Sequence, residues 1–311
     1  MEKLIDITTY PVKPVLKLLL ADKTTKQNIV FATDSYADRG GRYRAESHID
    51  ADLLFGMDSW EIQPRVYKNA SEQAARTRKK AEVMTPAWIV NTMNNHCDED
   101  WFGYKEAFNK EVDKTWITKE DPIFFPEDKT WQKYIDSTRI EITCGEAPYL
   151  VSRYDTTTGE TIPVKNRVGI LDRKLRVVGE NTETKDEWFK WVIRSYQSTY
   201  GYEFQGDNLL VGRINLLITF VDYMQERWGE MPTDAELRKI ANIIAWNVWQ
   251  MDGLTGMVPY GYQEATFRQL SLFDFITDGN SEESAQEAIP ARIFDWRADK
   301  SIEYNSLKKE I

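Results

Sequence analysis

Residues 200–217 read Tyr-Gly-Tyr-Glu-Phe-Gln-Gly-Asp-Asn-Leu-Leu-Val-Gly-Arg-Ile-Asn-Leu-Leu, and this stretch decides the fold that the sequence predicts. A short aromatic segment ends in one acid, Glu203, and a polar turn and an amphipathic pattern follow. That order is typical of an open α/β sheet, in which an acid at the carboxyl end of a strand binds the hydroxyls of a ribose. We therefore expect a strand up to Glu203 and a long helix from about Leu209 to Trp228.

Three other segments supply further parts of a site for an adenosyl group. Residues 139–150 predict a strand, a turn at Cys144-Gly145 and a helix start, so that backbone can approach a ligand. Asp252, before Gly253, is the candidate acid beside an adenine amino group. Thr85-Pro86 predicts the start of a helix that lies over the opposite end of the ligand. Each fragment alone has an ordinary explanation as a cap or a turn, but the ordered set favours a cofactor pocket.

In this order the motifs resemble those of the N6-adenine DNA methyltransferases of restriction–modification systems, in particular their short modification-subunit (subunit M-like) proteins. The resemblance covers about residues 82–254. The matching positions are Thr85-Pro86, Glu141 to Gly145, Gly201-Tyr202-Glu203, Arg213-Ile214-Asn215-Leu216 and Asn247 to Leu254.

The resemblance implies an α/β fold, namely a Rossmann-like S-adenosylmethionine-dependent methyltransferase fold with additional helices. We expect this domain to span residues 58–311, with residues 1–57 packed on it as an N-terminal segment. The implied cofactor is S-adenosylmethionine, and the implied substrate and partner is DNA, with a separate chain supplying specificity or endonuclease activity. The implied cofactor-binding residues are Thr85, Pro86, Glu141, Cys144, Gly145, Glu203 and Asp252.

The sequence departs from the family pattern at two points. Ala147 stands where the family turn has its second glycine, which weakens the expectation of a close backbone approach. No Pro-Pro pair occurs anywhere, although the family uses Asn/Asp-Pro-Pro-Tyr/Phe to accept the hydrogens of the target amine and to stack on a flipped base. The candidate substitutes are Asp34 with Tyr36, Asp295 with Trp296, and the segment 273–280.

Composition and charge leave other functions open. The formal net charge of the 311-residue chain is −10, which argues against tight, autonomous binding of DNA. The chain could therefore bind the cofactor without catalysis, as a regulatory or assembly subunit, or act as an acidic inhibitor of a DNA-processing partner. Glu183-Thr184-Lys185 matches the Glu-x-Lys pattern of metal-dependent nucleases, but it lies in a polar stretch that predicts no strand. Two cysteines and two histidines make a disulfide framework or a zinc site improbable.

Two groups of basic residues are candidate contacts for nucleic-acid phosphates. Residues 76–80 read as a solvated helix face, whereas the cations between Arg153 and Arg176 are expected to pair with the abundant acids. No apolar run approaches the roughly 20 residues of a membrane span, so a cytoplasmic protein without membrane contact is expected.

Overall fold

The structure is a computed structural model and describes residues 3–55, 60–80, 82–264 and 286–309. It is a mixed α/β protein with small parallel and antiparallel sheets. The helices are α1 (Leu16–Leu20), α2 (Ala51–Leu54), α3 (Ala70–Lys80), α4 (Ala87–Phe102), α5 (Trp131–Asp136), α6 (Ile170–Asn181), α7 (Lys185–Gln197), α8 (Gly206–Trp228) and α9 (Asp234–Asn247). The strands are β1 (Asn109–Val112), β2 (Thr115–Thr118), β3 (Arg139–Glu141), β4 (Thr199–Glu203), β5 (Val248–Gln250), β6 (Met257–Glu264), β7 (Gln286–Pro290), β8 (Arg292–Asp295) and β9 (Lys300–Glu303).

The strands that carry the predicted site form one parallel sheet in the order β3-β4-β5. Ile140 is aligned with Tyr200, and Glu203 is aligned with Gln250. Helices α6 and α7 connect β3 to β4, and helices α8 and α9 connect β4 to β5. Because parallel strands need such crossovers, the carboxyl ends of all three strands meet at one edge. The strand predicted to end at Glu203 is thereby confirmed.

Helix α8 is buried along most of its length and forms the centre of the main hydrophobic core. Its first residue, Gly206, lies in close contact with the backbone of Val30. A side chain does not fit there, because a Cβ on Gly206 would lie 2.0 Å from the carbonyl oxygen of Val30. The fully buried Arg213 donates to the carbonyl oxygens of Leu19 and Val248. The arginine of the family-like motif thus ties α1 and β5 to α8.

Two hydrophobic clusters lie on the parallel sheet. The larger joins the helices to the N-terminal residues, and the smaller comprises Tyr202, Trp249 and Met251 with residues of the C-terminal strands. Those C-terminal strands form two antiparallel pairs, β6 with β7 and β8 with β9.

The β-branched and aromatic residues of segment 28–33 predict a strand, and this prediction is wrong. Val30 makes only an isolated bridge to His48, and Ala32 adopts a positive φ of 50°, which interrupts any ladder. The segment instead bonds to the parallel sheet: Val30 N–H donates to the side chain of Gln250 at 2.9 Å. Residues 3–55 contribute many side chains to the larger cluster, and the expected boundary between residues 57 and 58 lies outside the described residues.

Several element predictions are confirmed and one is corrected. The sequence predicts an amphipathic helix over residues 185–198 and a turn with a helix cap at residues 231–234; α7 and α9 form there, and Thr233 and Glu236 form a capping box at the start of α9. Residues 167–172 and 175–178 suggest strands or helix ends, but residues 170–181 form one helix, α6, with an amphipathic pattern. No helix in the described part of the chain is long and apolar enough to cross a bilayer.

Candidate functional site

A cavity of about 520 Å³ lies at the carboxyl edge of the parallel sheet. Three segments that are distant in sequence form its walls: residues 82–85, residues 141–149 and residues 203–208. They contain the predicted helix start, the predicted turn and the predicted ribose acid. The lining residues are Glu82, Val83, Met84, Thr85, Glu141, Ile142, Thr143, Cys144, Gly145, Pro148, Tyr149, Glu203, Phe204, Gln205 and Asn208.

Glu203 and the glycine turn are joined directly. The Gly145 N–H donates to Glu203 Oε2 at 2.8 Å, and the Gln205 N–H donates to Glu203 Oε1 at 3.0 Å. A carboxylate has about four lone-pair positions, so each oxygen retains one for a ligand hydroxyl. Burial raises the pKa of Glu203, although the bonds from these two amides oppose that effect.

The turn after β3 has an unusual backbone. Thr143, Gly145 and Ala147 adopt φ values of 48°, 54° and 64°, so left-handed residues alternate with ordinary ones. Ala147 therefore takes the conformation that a glycine would favour, and the departure from the family pattern leaves the turn intact. The turn also packs tightly on α8, since a Cβ on Gly212 would lie 3.1 Å from the Gly145 carbonyl oxygen.

Two buried glutamates in and beside this turn accept hydrogen bonds that stabilise it. Glu141 accepts hydrogen bonds from the amides of Tyr149 and Leu150, and burial raises its pKa well above the usual range. Glu146 accepts from the amide of Arg65 and from the hydroxyl of Tyr154 at 2.6 Å. These carboxyls hold the backbone of the turn in shape, which is a structural task that the sequence did not reveal.

A buried charge network forms the wall opposite the turn. Glu82 pairs with Arg65 at 3.0 Å and with Arg76 at 2.7 Å, and its Oε2 accepts the amide of Asn208 at 2.9 Å. The Arg76 side chain is 1% exposed, so the expectation of a solvated face is wrong for this residue. Its charge is used inside the protein and is not free for a nucleic-acid phosphate.

Asp207 connects that network to the start of α8. It pairs with Lys68 at 3.0 Å and with Arg76 at 2.9 Å, and it accepts the hydroxyl of Tyr36 at 2.7 Å. Burial alone would raise the pKa of Asp207, but the two cations outweigh burial and lower it well below its usual range. Position in the first turn of α8 also favours a negative charge. These ion pairs connect Lys68 and Arg76 to the start of α8, and Arg76 in turn pairs with Glu82, which lines the cavity.

The structure does not bring Asp252 to the cavity lining. Its carboxylate instead accepts the amides of Leu254 and Thr255 and closes a local turn. The neighbouring Met251 amide donates to the Glu203 carbonyl oxygen at 3.1 Å. Asp252 therefore follows β5, as predicted, but its side chain bonds within its own loop and not to the cavity.

Of the predicted helix start, Thr85 lines the cavity, whereas Pro86 is the N-cap of α4 and lines a separate cavity. The helix therefore begins one residue later than the sequence indicated. Cys144 also lines the cavity, and burial raises the pKa of its thiol well above the usual value.

None of the described catalytic candidates lines the cavity. Asp34 is exposed and follows no strand, and Tyr36 is buried with its hydroxyl committed to Asp207. Asp295 caps a turn through the amides of Arg297 and Ala298. Trp296 donates to the side chain of Asn247, which precedes β5, so this pair lies at the amino end of the sheet. The candidate segment 273–280 lies outside the described residues.

The remaining sequence motifs have structural roles. In the nuclease-like motif Glu183-Thr184-Lys185, Thr184 caps α7 and Lys185 pairs with Glu230 on the surface. The described residues contain no carboxylate cluster that could hold a metal ion for this motif. The expected pairing of the second basic group is confirmed for its arginines: Arg153 and Arg167 pair with Asp222, and Arg173 pairs with Asp98.

Sequence reasoning missed several residues that shape the cavity. Phe204, Gln205 and Asn208 directly follow Glu203, and their position between a strand end and a helix start was the available signal. Glu82 had no such signal, because its importance comes from ion pairs made across the fold. Comparison with protein-family models, curated proteins and solved structures finds no match for the chain.

Proposed function

We propose that the chain binds S-adenosylmethionine in the 520 Å³ cavity, within a Rossmann-like methyltransferase domain. The observation that carries this proposal is the hydrogen bond from Gly145 N–H to the Glu203 carboxylate. It joins the turn after one parallel strand to the acid at the end of the next strand. In folds of this class, that juxtaposition binds an adenosyl group through its ribose hydroxyls.

The charges in the cavity favour this ligand over adenine nucleotides. The described residues of its lining include Glu82, Glu141 and Glu203 but no lysine, arginine or histidine. A phosphate-bearing ligand such as ATP or NAD would find no cation there, since Arg65 and Arg76 lie behind Glu82 and are paired with it. The sulfonium and ammonium groups of S-adenosylmethionine would meet no cation among these residues, so no charge repulsion opposes their binding.

The described residues offer a contact for each part of that ligand. Glu203 would bind the ribose, and Phe204 supplies an aromatic surface for the adenine. Residues 82–85 close the remaining wall, towards which the methionine part would extend. When bound, the cofactor supplies an electrophilic methyl group, and the protein's own task is orientation.

The proposed activity is methylation of the N6 amine of adenine in DNA, as the modification subunit of a restriction–modification or phage system. Such a reaction needs acceptors for the hydrogens of the amine. The carboxamides of Gln205 and Asn208 line the cavity, but their oxygens already accept from Arg76 and their NH2 groups donate to Glu82, so the described residues supply no uncommitted carboxamide for this task. Because the sequence has no Pro-Pro pair and the described acid–aromatic pairs lie elsewhere, a second function is retained. In that alternative the chain binds the cofactor as a non-catalytic regulatory subunit.

Calorimetric titration separates the cofactor proposal from its alternatives. We expect S-adenosylmethionine and S-adenosylhomocysteine to bind, and ATP and NAD to produce no measurable heat at the same concentrations. Transfer of a labelled methyl group to unmethylated duplex DNA then distinguishes the two functions. Incorporation supports the methyltransferase, binding without incorporation supports the regulatory subunit, and the absence of binding rejects both.

A further inference from the structure

A larger cavity, of about 650 Å³, lies away from the candidate cofactor site. Residues of β2, α6 and the last turns of α8 contribute to its walls. Tyr223 of α8 lines this cavity, whereas Asn208 of the same helix lines the cofactor cavity. Because a helix rises about 1.5 Å per residue, these two residues lie about 22 Å apart along its axis. The two cavities are therefore separate sites.

The inner lining of this larger cavity is apolar and aromatic. Phe108, Leu175 and Trp188 line it and are buried. Trp116, which is half-buried, also lines it, and its indole N–H is fixed by a bond to the Asn166 carbonyl oxygen at 2.9 Å. Ligand pockets usually have volumes of about 300–1,000 Å³ and mostly apolar walls. A planar ring would find both burial and aromatic contacts here.

Gly179 of α6 leaves open space in the lining. A Cβ on this residue would meet nothing within 4 Å, although glycine is unfavourable inside a helix. A long side chain at this position would therefore extend into space that a ligand could occupy. The position offers a way to block the cavity without displacing the surrounding protein.

The charged groups of the lining leave an excess of one positive charge. Each of three lining arginines pairs with an acid: Arg167 with Asp222, Arg173 with Asp98 and Arg176 with Glu180. Five exposed lining residues form no ion pair within the described part of the chain, and these are the cations Lys119, Lys165 and Arg227 and the acids Glu120 and Glu226. This excess suits a ligand with one negative charge better than a phosphate monoester, whose charge is about −1.5 to −2 at pH 7.

We propose that the 650 Å³ cavity binds a small aromatic carboxylate. The ring would lie against the buried apolar lining around Trp188, and the carboxylate would lie among the exposed cations of the rim. The described lining of the cofactor cavity contains no cation, so a carboxylate would find no such partner there. The inference rests on this cavity alone and not on the proposed function, so each can fail without the other.

Calorimetric titration with 2-naphthoate tests the class of ligand. We expect this planar carboxylate to bind, and the neutral 2-naphthamide, which has the same ring system, to bind about 10-fold more weakly because it lacks the charge. The absence of heat with 2-naphthoate up to millimolar concentration overturns the proposal, and so does equal binding of the two compounds.

Two substitutions at one position test the place of binding. Gly179→Phe should fill the cavity and abolish binding of 2-naphthoate, whereas Gly179→Ala adds only a Cβ in open space and should leave the affinity almost unchanged. Neither change should alter the affinity for S-adenosylmethionine, since the cofactor cavity is a separate site. Circular dichroism and thermal unfolding check that both variants remain folded. Binding of 2-naphthoate that Gly179→Phe leaves intact would contradict the proposal.

Removal of rim charges tests the contribution of the cations. The double variant Lys119→Gln with Lys165→Gln should bind 2-naphthoate more weakly than the wild type, because only one unpaired cation remains in the described lining. The control Lys114→Gln removes an exposed lysine from the turn between β1 and β2, outside the described lining of this cavity, and should not change the affinity. A double variant that binds as tightly as Lys114→Gln would overturn the assignment of the carboxylate to the rim.

Discussion

At the scale of single residues, Glu203 has two tasks. It fixes the shape of the turn by accepting the amides of Gly145 and Gln205, and it lines the cavity that is proposed to bind an adenosyl ligand. Asp252, the other acid of the predicted site, uses its carboxylate to close its own turn. Spacing along the chain cannot separate these cases, because both acids follow a strand of the same sheet.

A pair of matched substitutions tests this difference. Glu203→Gln removes the charge but keeps one acceptor, and it should weaken binding of S-adenosylmethionine by about 10-fold to 100-fold, the usual loss for a hydrogen bond to a charged group. Asp252→Asn makes the same chemical change outside the cavity lining and should alter affinity less than about 2-fold, since asparagine also closes such turns. Calorimetry on both variants measures the affinities, and equal losses would contradict the assignment.

Asp207 predicts a pH dependence of stability. Lys68 and Arg76 hold its folded-state pKa below the ordinary value of 3.8, so its contribution is complete above that value and is lost as the pH falls below it. Asp207→Asn leaves the buried Lys68 without an acidic partner and Arg76 with Glu82 alone, and it should cost about 3 kcal/mol near neutral pH.

Urea unfolding of the wild type and of Asp207→Asn at several pH values measures this contribution. The difference in unfolding free energy should be largest near pH 7 and should shrink as the pH falls below about 4. A difference that stays constant down to pH 3 would show that the ionised carboxylate is not what stabilises the network.

At the scale of elements, two glycines in helices predict opposite effects on stability. In Gly206→Ala the new Cβ would lie 2.0 Å from the Val30 carbonyl oxygen, and displacing that backbone should cost at least about 2 kcal/mol. In Gly179→Ala, within α6, the new Cβ meets nothing within 4 Å and should stabilise the helix by up to about 1 kcal/mol. Thermal unfolding measures the change in stability of both variants. If Gly206→Ala were as stable as the wild type, residues 28–31 would not pack on α8 as described.

The sequence predicted those elements whose signals are local. The helix cap predicted at residues 231–234 and the strand that ends at Glu203 both depend on neighbouring residues in the sequence. The segment 28–33 was misassigned because its composition suits a strand while its hydrogen-bond partners, such as the Gln250 side chain, come from elsewhere in the fold. Tertiary partners overrode local preference there.

The site shows the same division. The turn at Gly145 and the acid at Glu203 could be predicted, because a strand end followed by a turn marks a ligand edge in this class of sheet. The ion pairs of Glu82 with Arg65 and Arg76 could not, since they join residues whose burial depends on the whole fold. The left-handed conformation of Ala147 was likewise hidden, as alanine carries no sequence signal for a positive φ.

At the scale of the whole molecule, charge predicts how the chain meets DNA. The net charge is −10, and Arg167, Arg173 and Arg76 are paired with Asp222, Asp98 and Glu82. We expect the isolated chain to bind a short duplex no more tightly than about 1 µM at physiological salt. Fluorescence anisotropy with labelled DNA measures this, and nanomolar binding would show a phosphate-binding surface that the described residues do not provide. Weak binding would require a partner chain to supply specificity.

The most direct measurement is a crystal structure of the protein soaked with S-adenosylhomocysteine. We expect ligand density in the cavity between residues 82–85, the Gly145 turn and Glu203, with both ribose hydroxyls within about 3.2 Å of the Glu203 carboxylate. Ligand density at another place, or a ribose that makes no contact with Glu203, would contradict it.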